Sequence, residues 1–386
     1  MHYSAPTLHA PVLTLQSHKD LLGGELLSIV TKRRPAPLSR IAAPAALLDI
    51  PLTTVSLDKN FDAYINISFR GAPANFSVPL VVDSGNFSLI VPDYEDIAGL
   101  ANFSRDYAVV ATNVIEPWGC PASILQGPIE IPTQDGSVYE ISNCLFYACT
   151  GANPAGDRTA NFGTGCISPW YQQGNVTIKS PLSFDATYPY AEFNYAAANQ
   201  IFAVGTQPNI AQGSSLTLYR AMPQGYQTFD IIKNLMWMSL IPRSLSVGGI
   251  ETAWPGTVAS PPIAMVDTGG GPVFLSDPNG YLYKANWPDP VPPPWWTSPG
   301  SVSCESTKDD IAIGLGDDRN SFSYRIDTSA LPASVQGLTL VMCEMCEYMM
   351  GNQGMNIGGI SALFNKILID YVSGKVGFKA KMAAVI

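Results

Sequence analysis

Histidine is almost missing from this chain of 386 residues: there are three, His2, His9 and His18, all within the first eighteen positions. The body of the sequence therefore offers no imidazole for a Ser-His-Asp triad, a Cys-His pair or a His-rich zinc site. Charge is also scarce, at 13%, and its balance is acidic, with 31 Asp and Glu against 21 Lys and Arg for a net charge of −10. Nucleic acid is thus an unsuitable partner, because phosphate binding needs clustered Lys and Arg. No uninterrupted apolar run of about 18 residues occurs, so no membrane span is expected. A Gly-rich loop closing on Lys-Ser or Lys-Thr is missing too, which leaves a P-loop nucleotide site unsupported. No cofactor and no metal site are expected, and the main acid/base chemistry left is that of carboxylates.

What is present is apolar and turn-rich. Hydrophobic residues make up 46% of the chain, too many for a disordered polymer, and short alternating apolar runs are punctuated by 33 Gly and 32 Pro. That pattern favours an all-β architecture, and the length suits two domains with well-buried cores. Seven cysteines, Cys120, Cys144, Cys149, Cys166, Cys304, Cys343 and Cys346, leave at least one free or paired between chains. Cys343 and Cys346 have the spacing of a redox or metal pair, but no second such pair and no thioredoxin-like βαβ pattern accompany them. Sequons begin at Asn66, Asn75, Asn86, Asn102 and Asn175, in keeping with a glycoprotein of the secretory route. Met1 to Pro6 opens no apolar leader of the required length, so the expectation is divided. The protein is secreted or vacuolar if a signal was trimmed, and intracellular otherwise.

The most informative feature is a repeated acidic turn. Val81-Val82-Asp83-Ser84-Gly85 in one half and Met265-Val266-Asp267-Thr268-Gly269 in the other each place a carboxylate after β-prone residues and before a hydroxyl residue and a glycine. Another apolar stretch follows each, Leu89 to Pro92 and Val273 to Leu275. The pattern reads strand, tight turn, strand, with the acid at the turn. One Asp-Ser/Thr-Gly is weak, since about 0.2 copies arise by chance in a chain this long. Two copies with matching flanks are far stronger. They suggest similar lobes, each presenting one aspartate to a shared cleft, where paired carboxylates divide acid and base roles. A lone aspartate in a turn would otherwise be read as a local backbone cap.

On these residues the chain resembles the pepsin-like aspartic proteases, from about Phe61 to Phe378. Phe61 to Phe69 is similar to the family's first strand before the motif. Asn356-Ile357-Gly358-Gly359, Leu363 to Asp370 and Gly374 to Phe378 are similar to its closing stretch. The resemblance implies a bilobal all-β fold with a central cleft and catalytic Asp83 and Asp267. Gly85, Gly269 and Gly270 would line the substrate, and Ser84, Asn86 and Thr268 would support the turns. It also implies a flap over the cleft, carried here by Trp118-Gly119-Cys120, with tryptophan in place of the usual tyrosine; a core tryptophan is the rival reading. A disulfide from Cys304 to Cys343 or Cys346 would follow as well.

The departures from the family pattern bear on activity. The hydroxyl residue that usually follows each motif is replaced by Asn86 in the first and Gly270 in the second. Asn86 retains an amide donor, whereas Gly270 has nothing to offer the outer oxygen of Asp267. The supporting apolar-apolar-Gly turns become Gly163-Thr164-Gly165 and Asn356-Ile357-Gly358.

The expected organisation is an extension or propeptide-like segment over 1–50, an N-terminal β lobe over 51–208 and a C-terminal β lobe over 209–386. The basic strip Lys32-Arg33-Arg34 would suit covering an acidic cleft or would belong to a solvated tail. Trp287 to Trp296, rich in proline, is expected as a loop rather than a central strand. Three functions stay open: an aspartic endopeptidase acting as a monomer on peptide or protein substrates, a pepsin-fold enzyme with non-peptide acid/base chemistry on a small molecule, and a catalytically silent cleft-binding protein.

Overall fold

The computed structural model describes residues 47–53, 63–117, 119–151, 160–196, 213–247, 249–253, 263–270, 273–276, 304–307, 310–316, 320–327, 340–343 and 354–381. The all-β expectation holds. Among these residues helix is confined to the four-residue turns Glu95–Ala98 and Phe103–Asp106 and the 3-10 segments Pro181–Phe184 and Gly359–Leu363. None of the described helices is long and apolar enough to cross a membrane.

Strand formation follows the alternation in the sequence. In Tyr64–Phe69 the even-spaced Ile65, Ile67 and Phe69 are fully buried while Tyr64, Asn66 and Ser68 face partly outward. Each such aliphatic or aromatic side chain contributes about 1.5–3 kcal/mol by leaving water. Strands from the first half build a seven-stranded sheet in the order Tyr64–Phe69, Val78–Asp83, Asn161–Gly163, Leu89–Val91, Val138–Cys149, Pro121–Pro132, Ala108–Ile115. It curls, because Ser68 and Phe69 also pair with Glu130 and Ile129. The second half contributes a six-stranded sheet ordered Ser239–Leu240, Ile263–Val266, Gly354–Ile357, Val273–Ser276, Leu340–Cys343, Cys304–Thr307, and a four-stranded one.

A further six-stranded sheet draws on both halves. Its order is Leu47–Pro51, Ser215–Tyr219, Tyr190–Asn194, Asn365–Asp370, Lys375–Ala380, Gln227–Asp230. The strand Leu47–Pro51 straddles the expected boundary at residue 50.

The two acidic motifs sit in the same local topology. Val78–Asp83 runs parallel to Asn161–Gly163 with Val81 opposite Asn161, Val82 opposite Phe162 and Asp83 opposite Gly163. Ile263–Val266 runs parallel to Gly354–Ile357 with Met265 opposite Asn356 and Val266 opposite Ile357. The strand after each turn then pairs antiparallel with that same partner, Ile90 opposite Asn161 and Phe274 opposite Asn356. Each half therefore wedges a third strand between the two that flank its aspartate, in an identical register. Val82, Phe162, Leu89, Val266 and Ile357 from these wedges lie in one continuous apolar core.

Candidate functional site

The two aspartate turns meet. Ser84 Oγ donates to the Val266 carbonyl at 2.9 Å and accepts the Thr268 N–H at 3.0 Å. Thr268 Oγ1 donates to the Val82 carbonyl at 2.9 Å and accepts the Ser84 N–H at 3.0 Å. Both hydroxyl residues are fully buried, so this reciprocal brace satisfies four backbone groups that would otherwise be stranded. It fixes the turns face to face with each glycine against the opposite carboxyl. A Cβ on Gly85 would lie 2.6 Å from Asp267 Cγ, and one on Gly269 would lie 2.7 Å from Asp83 Cγ. No other residue type permits that approach.

The carboxyl groups of Asp83 and Asp267 are close enough to share a hydrogen bond. Asp83 is buried and Asp267 partly so. Burial raises the Asp267 carboxyl well above the ordinary carboxylate range, and the neighbouring Asp83 charge and the hydrogen bond to it push the same way. The Asn356 amide and the Gly269 N–H oppose the rise. The arrangement thus retains a proton between two carboxylates, the condition for acid and base work by one pair.

Each inner oxygen takes donors from its own turn. Asp83 Oδ1 accepts the N–H of Gly85 at 2.7 Å and of Asn86 at 3.2 Å, and Asp267 Oδ1 accepts that of Gly269 at 3.1 Å. The outer oxygens are served from elsewhere. Asn161 Nδ2 donates to Asp83 Oδ2 at 2.7 Å, and Asn356 Nδ2 donates to Asp267 Oδ2 at 2.5 Å. The donor expected to be missing at Gly270 is therefore supplied by the neighbouring strand. Nor does the Asn86 side chain serve Asp83: its Oδ1 accepts Ser88 N–H and Oγ–H, both at 2.9 Å. Its Nδ2 is buried without a partner.

Neither asparagine donor was anticipated. A signal existed, since Asn-apolar-Gly occurs as Asn161-Phe162-Gly163 and Asn356-Ile357-Gly358. Gly163-Thr164-Gly165 does back onto the first turn through backbone bonds to Ser88, Asp83 and Asn86 at 2.7–2.9 Å. In the first half the part that matters chemically begins two residues earlier, at Asn161, and in the second it is the opening Asn356 of the turn.

Trp118 and the proline-rich segment 287–296 lie outside the described residues, as does Cys346. Gly119 stands in the turn between Ala108–Ile115 and Pro121–Pro132, its N–H donated to the Glu116 carbonyl at 2.9 Å. That turn reaches the site through Pro117, which lines a recess with Gly85, Asn86, Phe87, Met236 and Trp237. Cys120 pairs with Cys149 at the open end of the hairpin. Strand register sets Cys304 opposite Cys343. Cys144 and Cys166 are unpaired and buried, and burial raises both thiols, Cys166 to about 12, which leaves them unreactive. No cluster of metal-ligating side chains occurs among the described residues. Of the sequon asparagines only Asn75 and Asn175 are exposed; Asn86 is buried, and Asn102 donates to the Arg70 carbonyl and Asp106.

No protein-family model matches the chain, and no curated protein does.

Proposed function

We propose that this protein is an aspartic endopeptidase of the pepsin-like, two-lobed kind, cleaving peptide bonds with a water activated between Asp83 and Asp267. The observation that carries this reading is the reciprocal Ser84–Thr268 brace, which holds the Asp83 carboxyl in hydrogen-bond contact with an Asp267 carboxyl whose proton affinity is raised. The matched wedges around each aspartate support a two-lobed arrangement. The recess beside the first turn supports recognition of an apolar side chain flanking the cleaved bond.

In this mechanism Asp267 holds the shared proton and Asp83 acts as the base. Asp83 takes one proton from the attacking water as its oxygen bonds to the scissile carbonyl carbon. Asp267 gives its proton to the carbonyl oxygen, and a gem-diol results. Collapse breaks the C–N bond, with the Asp83 proton passing to the leaving nitrogen and one diol proton returning to Asp267. No proton is gained or lost over the cycle. The pair works with one carboxyl protonated, which suits an acidic secretory or vacuolar compartment.

The test is digestion of a denatured protein mixture between about pH 3 and pH 6, with and without a statine-type transition-state mimic. Cleavage that the mimic blocks, and that Asp83→Asn and Asp267→Asn each abolish, is expected. Mimic binding without cleavage at any pH would replace the enzyme with a binding protein.

A further inference from the structure

We propose that Asn161 and Asn356 form a matched pair of positioning residues that hold the outer oxygens of the two aspartates as hydrogen-bond acceptors and thereby confine the shared proton to the inner side, between the carboxyls. This rests on the dyad reading above and deepens it.

Several independent features point the same way. The two asparagines occupy the same place in the two wedges, each opposite the residue two before its aspartate on the adjacent parallel strand. Both are buried, at 6% exposure. Both spend their amide on the Oδ2 of their own aspartate, at 2.7 and 2.5 Å. Gly270 makes room for this at the second turn. A Cβ there would lie 2.4 Å from Asp267 Oδ2 and 2.7 Å from Asn356 Nδ2, so a hydroxyl residue at 270 and the Asn356 amide compete for one space.

The chemistry differs from that of a hydroxyl donor. A hydroxyl can turn and accept a proton from a carboxylic acid, whereas an amide NH2 only donates. With Nδ2 aimed at Oδ2, a proton on that oxygen would weaken the bond it accepts, because an acid O–H oxygen is a poorer acceptor than a carboxylate oxygen. At Asp267 the Asn356 amide is the closer donor, at 2.5 Å on Oδ2 against 3.1 Å for the Gly269 N–H on Oδ1, so the proton is left to the Oδ1 side, which lies against the opposite turn's glycine. Asp83 is the titratable group facing Asp267 across the turns; the other groups acting on it are Asn356 and the Gly269 N–H.

The test combines Asn356→Leu and Asn356→Asp with carboxyl-labelled aspartate, followed by 13C NMR titration. Both substitutions preserve size, and Asn356→Asp preserves shape. The expectation is that both move the Asp267 titration to higher pH, Asn356→Asp more, because it replaces a donor with a third acid. In turnover, kcat should fall about 10- to 100-fold with little change in KM, and the basic limb of the pH–rate profile should follow the titration. Gly270→Ser alone should be damaging and should be partly relieved by Asn356→Ala. An Asp267 titration unchanged in folded Asn356→Leu and Asn356→Asp overturns the positioning role, whatever the protein cleaves. A shifted titration in a protein that cleaves nothing leaves the positioning role standing and removes the peptidase reading.

Discussion

At the scale of single residues, the brace between the aspartate turns has the largest consequence for stability. Thr268→Val keeps the shape but strands the Val82 carbonyl and the Ser84 N–H in a fully buried place. Leaving two such groups unpaired costs about 2–5 kcal/mol, and Ser84→Ala, which strands the Thr268 N–H and Val266 carbonyl, costs a similar amount. Because the hydroxyls act on the same contact, the double variant should lose clearly less than the sum, as measured by urea midpoints in a double-mutant cycle. Asp267 makes a second prediction. Its folded pKa lies above an unfolded value of about 3.9, so between the two the folded state holds a proton that the unfolded state lacks. Stability is therefore fully favoured below the unfolded value and declines as pH rises through the folded one. Asp267→Asn should flatten that slope in melting curves taken across the acid range; a wild-type protein with no decline would remove the raised proton affinity. Both aspartates were legible in the sequence because their flanks repeat. Asn161 and Asn356 were not, because each donor stands 78 or 89 residues from its carboxylate and reaches it only through a parallel register.

Elements were legible where the local period was strong. The alternation in Tyr64–Phe69 and the apolar runs before each aspartate mark strands without any tertiary knowledge. The wedge strands Asn161–Gly163 and Gly354–Ile357 are three and four residues long and too short to show a period, and their place depends on partners in distant parts of the chain. The long hairpin is the clearest local unit, closed at one end by Gly136 in a left-handed turn and by Asp135, which accepts from Thr133 and Ser137. Those donors, the Thr133 hydroxyl first, hold the Asp135 carboxyl down at about 2. At its other end Cys120 and Cys149 tie Pro121–Pro132 to Val138–Cys149. Constraining a loop with a sequence separation of 29 stabilises by about 3–4 kcal/mol through the unfolded chain. A Cys120→Ala/Cys149→Ala variant should lose roughly that much in chemical denaturation, and reductant should shift the wild type but not the variant. If reductant leaves the wild-type midpoint unchanged, the bridge contributes nothing.

For the whole molecule, the sheet shared by the two halves determines what can be separated. Tyr190–Asn194 pairs on one side with Ser215–Tyr219 and on the other with Asn365–Asp370, so a chain divided between residues 208 and 209 leaves that strand with no partner of its own half. The sequence suggested two lobes because its motif repeats, but a repeat carries no information about strands the halves exchange. The outermost member of this sheet, Leu47–Pro51, pairs with Ser215–Tyr219 along its length, and Ile50 and the adjoining Leu52 are fully buried. Removing it uncovers that apolar surface, worth about 3–6 kcal/mol for two such side chains, and turns Ser215–Tyr219 into a bare edge with unpaired backbone groups. A chain of residues 53–386 should therefore unfold at lower denaturant than one of residues 44–386 and should self-associate at concentrations where the longer chain does not. Light scattering and urea midpoints on the two chains check this. Because Asp83 and Asp267 are braced from opposite halves, the shorter chain should also bind a statine-type mimic more weakly as its shared sheet loosens. Equal midpoints and equal affinity would mean that Leu47–Pro51 is an ornament on the sheet and that the brace alone keeps the two aspartates in contact.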